Sequence, residues 1–190
     1  MADTTRKAGH PITLGTVDAY LMEYTGTVPE HTAICVKENL LARVKSGATI
    51  KYTAETYTAE DDRGYIKKTV LTKEDVEVSL GLLGWRGDTL AKLASTARVD
   101  ESSLTGFRKT KIGGAANDNG KSYVLCLHHI DNKDGDCWWT IVGKNGGGFE
   151  LAFAAGAETN LGPTFKAEPM DDEGTLVMFI EQLTTEVSAG

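Results

Sequence analysis

The chain has 190 residues, with 20 Lys and Arg against 27 Asp and Glu, so its net charge is -7. With that balance, the clustered cationic footprint with which nucleic-acid-binding domains neutralise phosphates is not expected. A composition of 41% hydrophobic and 25% charged residues is that of one sizeable globular domain, not of a disordered chain.

With 21 glycines and only 4 prolines, the composition fits many tight turns between short strands. Residues 1–14 form a polar arm without periodicity. They hold no apolar core of a signal peptide, and no later run reaches the ~20 apolar residues of a membrane helix. The expectation is a protein made and kept in solution. Residues 16–24, TVDAYLMEY, alternate: Val17, Ala19 and Leu21 share one face, and Asp18, Tyr20 and Met22 the other, which is strand grammar. TGTVPEH then reads as a turn and TAICVKEN as a second short strand.

Residues 47–80 read as two long strands joined by a charged tip, AEDDRG, at 59–64. Ile50, Tyr52, Tyr57, Tyr65, Ile66, Val70 and Leu71 are scattered there among threonines, lysines and acids, too sparsely to form a core. About a dozen residues per arm at roughly 3.3 Å each span about 40 Å, against a radius of gyration of about 16 Å for a globule of this length. The hairpin is therefore expected to project beyond its own domain. Lys51, Glu55, Lys67 and Lys68 keep its edges soluble until a partner pairs with them.

One helix is expected over DTLAKLASTA, with Asp88 as N-cap and a narrow stripe of Leu90, Leu93, Ala94 and Ala97 that covers one side of a sheet. Residues 98–121 read as loop. Strands follow at SYVLCLHHI, CWWTIVG, GGFELAFAAG, TFKAEPM and TLVMFIEQL, with a turn at Asn132-Lys133-Asp134-Gly135 and another at DDEG. The sum is roughly eight to ten strands and one helix, without repeats.

Cys126, His128, His129 and Cys137 lie close in sequence, but strand alternation separates them. The Asn132–Gly135 turn sets His128 opposite Thr140 and His129 opposite Trp139, so Cys126 and His128 share a face that Cys137 does not. A register shifted by one residue brings all three together. Their spacing matches no zinc pattern. The three cysteines, Cys35, Cys126 and Cys137, are odd in number and read as unpaired reduced thiols. GKNGGG lacks the helix that must follow a phosphate loop and reads as a hairpin turn. The acid pairs Asp61-Asp62 and Asp171-Asp172 sit on turn tips, and no nucleophile motif is present. No catalytic residue, cofactor or metal ligand is expected, and the chain does not read as an enzyme.

The order of these pieces resembles the major tail (tail tube) proteins of long-tailed bacteriophages, particularly those infecting Gram-positive bacteria. The likeness covers residues 12–183 and rests on VKSGATIKYTAE entering the hairpin, its DDRG tip, LTKEDVEVSLGLLG, the helix DTLAKLAS and the closing FKAEPMDDEGTLVMFIEQL. It implies a mainly β, β-sandwich or barrel-like domain over 1–190, with one flanking α-helix and the 47–80 hairpin inserted in the β core. It implies further a structural virion protein, assembled in the host cytoplasm, whose hexameric rings stack into a tube around the tape-measure protein. Tail initiator and terminator proteins are the other implied partners, DNA passes through without specific binding, and no membrane is involved. The hairpin residues expected to meet neighbouring subunits are Thr49, Tyr52, Glu55, Tyr57, Asp61, Asp62, Arg63, Tyr65, Lys67 and Lys68. Two other readings stand beside this one. A virion accessory or carbohydrate-binding β-sandwich needs an exposed aromatic cluster, for which Trp138 and Trp139 are the candidates. A small β-fold enzyme needs a convergent pocket with perturbed titrating groups.

Overall fold

The alternation read at the start of the chain becomes strand β1, Asp18–Glu23, with Ala19 and Leu21 fully buried. The computed structural model describes residues 15–100, 106–132, 135–151, 153, 155–156 and 158–183. The polar arm expected over 1–14 lies outside them. The next expectation is corrected: the segment read as a strand, TAICVKEN, forms a short helix α1, His31–Ile34, and a 3-10 turn, Lys37–Asn39. The Asn39 side-chain amide donates to the Ile34 carbonyl at 3.0 Å, which satisfies a helix-end acceptor and turns the chain into the next strand.

That strand is β2, Leu40–Glu60, and it pairs along its length with β3, Lys67–Leu83. The long hairpin is thus present, but it is not an insertion with its own base. Its arms are the outward continuations of two core strands. A second helix, α2, Gly87–Leu93, follows. It starts two residues earlier than expected, because Arg86 rather than Asp88 is the N-cap, and the Thr89 hydroxyl accepts the Arg86 amide at 3.3 Å. It also stops early, with Ala94 already extended, so Ala97 is not part of its stripe. The expectation of one flanking helix is therefore corrected to two. The stretch read as loop contains a small hairpin, β4 (Arg98–Asp100) with β5 (Lys109–Lys111).

The remaining strands are β6 (Tyr123–His129), β7 (Cys137–Asn145), β8 (Thr164–Glu168) and β9 (Met178–Glu181). GGFELAFAAG does not form the expected strand; its described part contributes one isolated bridge, Leu151 to Leu161. GKNGGG is not a hairpin turn either, because β7 runs on through Gly143 to Asn145. The Asn145 amide donates to the Leu93 and Gly148 carbonyls and so ties the following loop to α2.

Strand order is β6-β1-β2-β3-β8-β7, and β7 pairs again with β6, so the sheet closes into a six-stranded antiparallel ring. One edge of β7 is shared: Cys137–Thr140 pairs with β9, and Val142–Asn145 with β8. Inside the ring Leu21, Val78, Leu80, Leu125, Ile141 and Phe165 form a filled core. A barrel of eight strands is only just wide enough for side chains to fill, so this smaller one encloses no channel. On the outer face of β1, β6 and β7, residues 28–35 cover a second cluster of Ile34, Val124, Cys126, Val142 and Met170. Both faces of β6 are therefore covered, which is why its four central residues, Val-Leu-Cys-Leu, are all buried and read as an unbroken apolar run.

Candidate assembly interface

The hairpin leaves the barrel where its side support ends. β1 accompanies β2 only as far as Arg43, and β8 accompanies β3 only over Glu77–Ser79. Among the described residues no third strand pairs with the ribbon from the Tyr52–Val76 pair to the Glu60–Lys67 pair. At about 3.3 Å per residue it extends some 30 Å, and no described residue pairs with either of its backbone edges. Every residue from 51 to 75 is exposed.

Register decides what each face shows. Tyr52 lies on the face continuous with the barrel interior, one step beyond buried Val78, and its hydroxyl donates to Glu74 at 2.5 Å. Thr56 opposite Leu71, Thr58 opposite Thr69 and Glu60 opposite Lys67 continue that face. Thr58 and Thr69 share a hydroxyl hydrogen bond of 2.9 Å, and Lys67 pairs with Glu60 at 3.7 Å. On the reverse face Glu55 lies opposite Lys73, Tyr57 opposite Val70 and Ala59 opposite Lys68. Lys73 also pairs with Asp75, and that bond holds its ammonium above the ordinary lysine range. Thr49, nearer the base, is exposed opposite Ser79.

A bulge sits at mid-arm. Glu55 pairs with Lys73 and Thr56 with Leu71, which leaves Thr72 as the extra residue, and its hydroxyl donates to the Glu55 carbonyl at 3.0 Å. The bulge places one aromatic and one aliphatic group on each face: Tyr52 with Leu71, and Tyr57 with Val70. At the tip the Asp61 carboxylate accepts the Ile66 amide at 2.7 Å, and Gly64 turns the chain at a φ of 71°. Asp62, Arg63, Tyr65 and Ile66 project from that turn, with Tyr65 84% and Ile66 73% exposed.

Nine of the ten sequence-predicted hairpin residues therefore lie on the free ribbon, on two faces and a tip, while Thr49 sits at its base, where Ser79 still pairs with β8. Sequence reasoning missed Thr72 and Glu74, whose roles depend on a cross-strand register that no local pattern encodes.

The other candidates resolve into structure. The β6–β7 register sets His129 opposite Cys137 and His128 opposite Trp138, two residues from the expected pairing. The connection is longer than the four-residue turn assumed, and its Lys133 and Asp134 lie outside the described residues. A shift of two keeps every side chain on its expected face, so Cys126 and His128 remain apart from Cys137. Among the described residues no cluster of three or more His, Cys, Asp or Glu could hold a metal ion. His128 Nε2–H donates to the Asp136 carboxylate at 2.8 Å, and the ring stacks on Trp138, whose ring also meets His31 at a centroid distance of 4.3 Å. Trp139 packs on Phe179 at 4.5 Å. Both tryptophans are part-buried in ring contacts rather than aligned as an open platform. Asp171 caps its own turn by accepting the Glu173 and Thr175 amides, and its carboxyl is held below the ordinary range chiefly by the Thr175 hydroxyl and amide. Among the described residues no helix is long and apolar enough to cross a membrane.

One contact was not expected. Cys35, at the end of α1, places its Sγ 3.5 Å from Sγ of Cys126 on β6. A scan of protein-family models and a search of curated proteins each found no match for the chain.

Proposed function

We propose that this protein is the repeating subunit of a phage tail tube, joined to its neighbours through the β2–β3 hairpin in stacked hexameric rings. The observation that carries this reading is a projecting ribbon with two unpaired backbone edges and exposed Tyr52, Tyr57, Tyr65, Ile66 and Leu71, attached to a barrel that needs none of them for its own core. Unpaired edges template strand addition, and the tyrosines supply contact area at low entropic cost. Because the barrel interior is filled, a conduit for DNA has to form between copies and not within one. The resemblance in sequence order supplies the remaining parts of the reading: the tape-measure protein inside the tube, initiator and terminator proteins at its ends, and a place in the virion tail.

The test removes the ribbon and keeps the barrel. Replacing residues 56–68 with a short Gly/Ser turn leaves the Val76–Leu82 core pairs intact. A folded, soluble protein that no longer forms hollow tubes in negative-stain micrographs is expected. Amides of the ribbon should exchange fast in the monomer and slowly in the tube, since an isolated two-stranded hairpin is marginal in water. Normal tubes from the shortened protein, or equal protection in both states, overturn the proposal.

A further inference from the structure

We infer that Cys35 and Cys126 are a latent disulfide pair, which closes in oxidising surroundings and fastens the 28–35 segment to the outer wall of the barrel. The two sulfurs are 3.5 Å apart across 91 residues of sequence, and a disulfide needs about 2.05 Å. The gap closes by a small movement on one side only. Cys126 is fixed in the middle of β6, fully buried. Cys35 ends a four-residue helix in irregular backbone, anchored by its own amide on the His31 carbonyl at 2.9 Å, and is half-buried. Cys137 lies on the other face of the sheet and takes no part.

The two thiols differ in kind. The two sulfurs share a hydrogen bond in which either can be the donor, and that contact lowers the Cys126 thiol from its ordinary value against the effect of burial. The same bond, with burial, raises Cys35. A low-molecular-weight disulfide reaches only the half-buried Cys35. Cys35 sulfur attacks one of its sulfur atoms, forms a mixed disulfide and releases one small thiolate. Cys126 sulfur then attacks Cys35 Sγ, forms the protein disulfide and expels the second small thiolate. The two protons of the protein thiols pass to the two released thiolates, and the small disulfide is reduced by two electrons. The shared hydrogen bond and burial raise the Cys35 thiol, so the first step is slow. The second is fast, because its nucleophile is already in contact. The mixed disulfide therefore does not accumulate.

The segment held by this bond carries Ile34 and His31, which cover Val124, Cys126 and Trp138. Bridging it to β6 shortens the unfolded chain's accessible range over a long loop. A particle leaving a reducing cytoplasm gains this staple after its subunits have folded. That consequence rests on the tail-tube reading, whereas the bridge itself does not.

Oxidised glutathione, added to the reduced full-length protein without denaturant, is the probe. Alkylation and peptide mass mapping should find a Cys35–Cys126 link and a free Cys137. The oxidised protein should melt roughly 5–10 °C higher than the reduced one, reversibly on adding dithiothreitol. In Cys126→Ala, glutathione should remain on Cys35, a species absent from the parent protein. The parent protein carries the decisive measurement even where that variant is too unstable to purify. Three alkylatable thiols after oxidation, a link through Cys137, or a link that leaves melting unchanged each overturn the inference. None of these outcomes depends on whether tubes form.

Discussion

Gly143 shows how one missing side chain positions a strand. A Cβ built there meets the Lys166 carbonyl oxygen at 2.0 Å, at the point where β7 begins to pair with β8 and is still paired with β6. Neither neighbour can give way without opening a ladder. Gly143→Ala is expected to cost about 2–3 kcal/mol through overpacking. Urea denaturation should show a lower midpoint at unchanged slope, and a loss below about 0.5 kcal/mol, the range of an unconstrained surface change, would mean that the strands part freely. A lone glycine inside a strand signals such an approach. Here that signal was hidden by the three glycines that follow Asn145, which made the whole run look like a turn. The Cys35–Cys126 contact was hidden differently. Its partners are distant in sequence, and one lies at the end of a segment that reads as a strand but folds as a short helix. Turn acids were legible, because a side chain that caps its own loop acts over a few residues.

Elements were read best where burial imposed a period. β1 alternates because one side faces the barrel core, and the hairpin arms were legible because long threonine-rich strands have no competing helical pattern. Helix ends and the β6–β7 connection were read less well, since both depend on contacts made elsewhere. That connection is held by Asp136, whose carboxylate accepts the Asp131 amide at 2.9 Å and meets His128 at 2.8 Å. Burial alone raises Asp136, but the Asp131 amide and His128 outweigh it and hold the carboxyl below the ordinary range. A carboxyl depressed in the folded state adds stability that is fully present above its unfolded value and is lost as pH falls through its folded value. Acidification below the usual carboxylate range should therefore loosen the β6–β7 end of the barrel. Asp136→Asn, which cannot titrate, should show a flatter acid limb when urea midpoints are compared across pH. An unchanged limb would place the acid sensitivity elsewhere.

At the scale of the whole molecule, the filled barrel and the net charge of -7 act together. If DNA travels through an assembly of these subunits, it passes along a surface built from their outer walls and loops, and every added ring multiplies the same negative charge. A wall that attracted phosphates would hold the polyanion at each ring, whereas a repelling wall lets it slide. The proposed tube is therefore expected to bind duplex DNA no more tightly than roughly 10⁻⁴ to 10⁻⁶ M at physiological salt, the range of sequence-independent contacts, and preferably more weakly. Fluorescence anisotropy of a labelled duplex, titrated with assembled tubes and with monomer, measures this directly. Lowering the salt should change little, because without a cationic footprint there are few counterions to release. Submicromolar binding that weakens steeply as salt rises would show that Lys and Arg gather on the lumen wall in the assembly, and the sliding-conduit picture would then be wrong even where the tube itself is real.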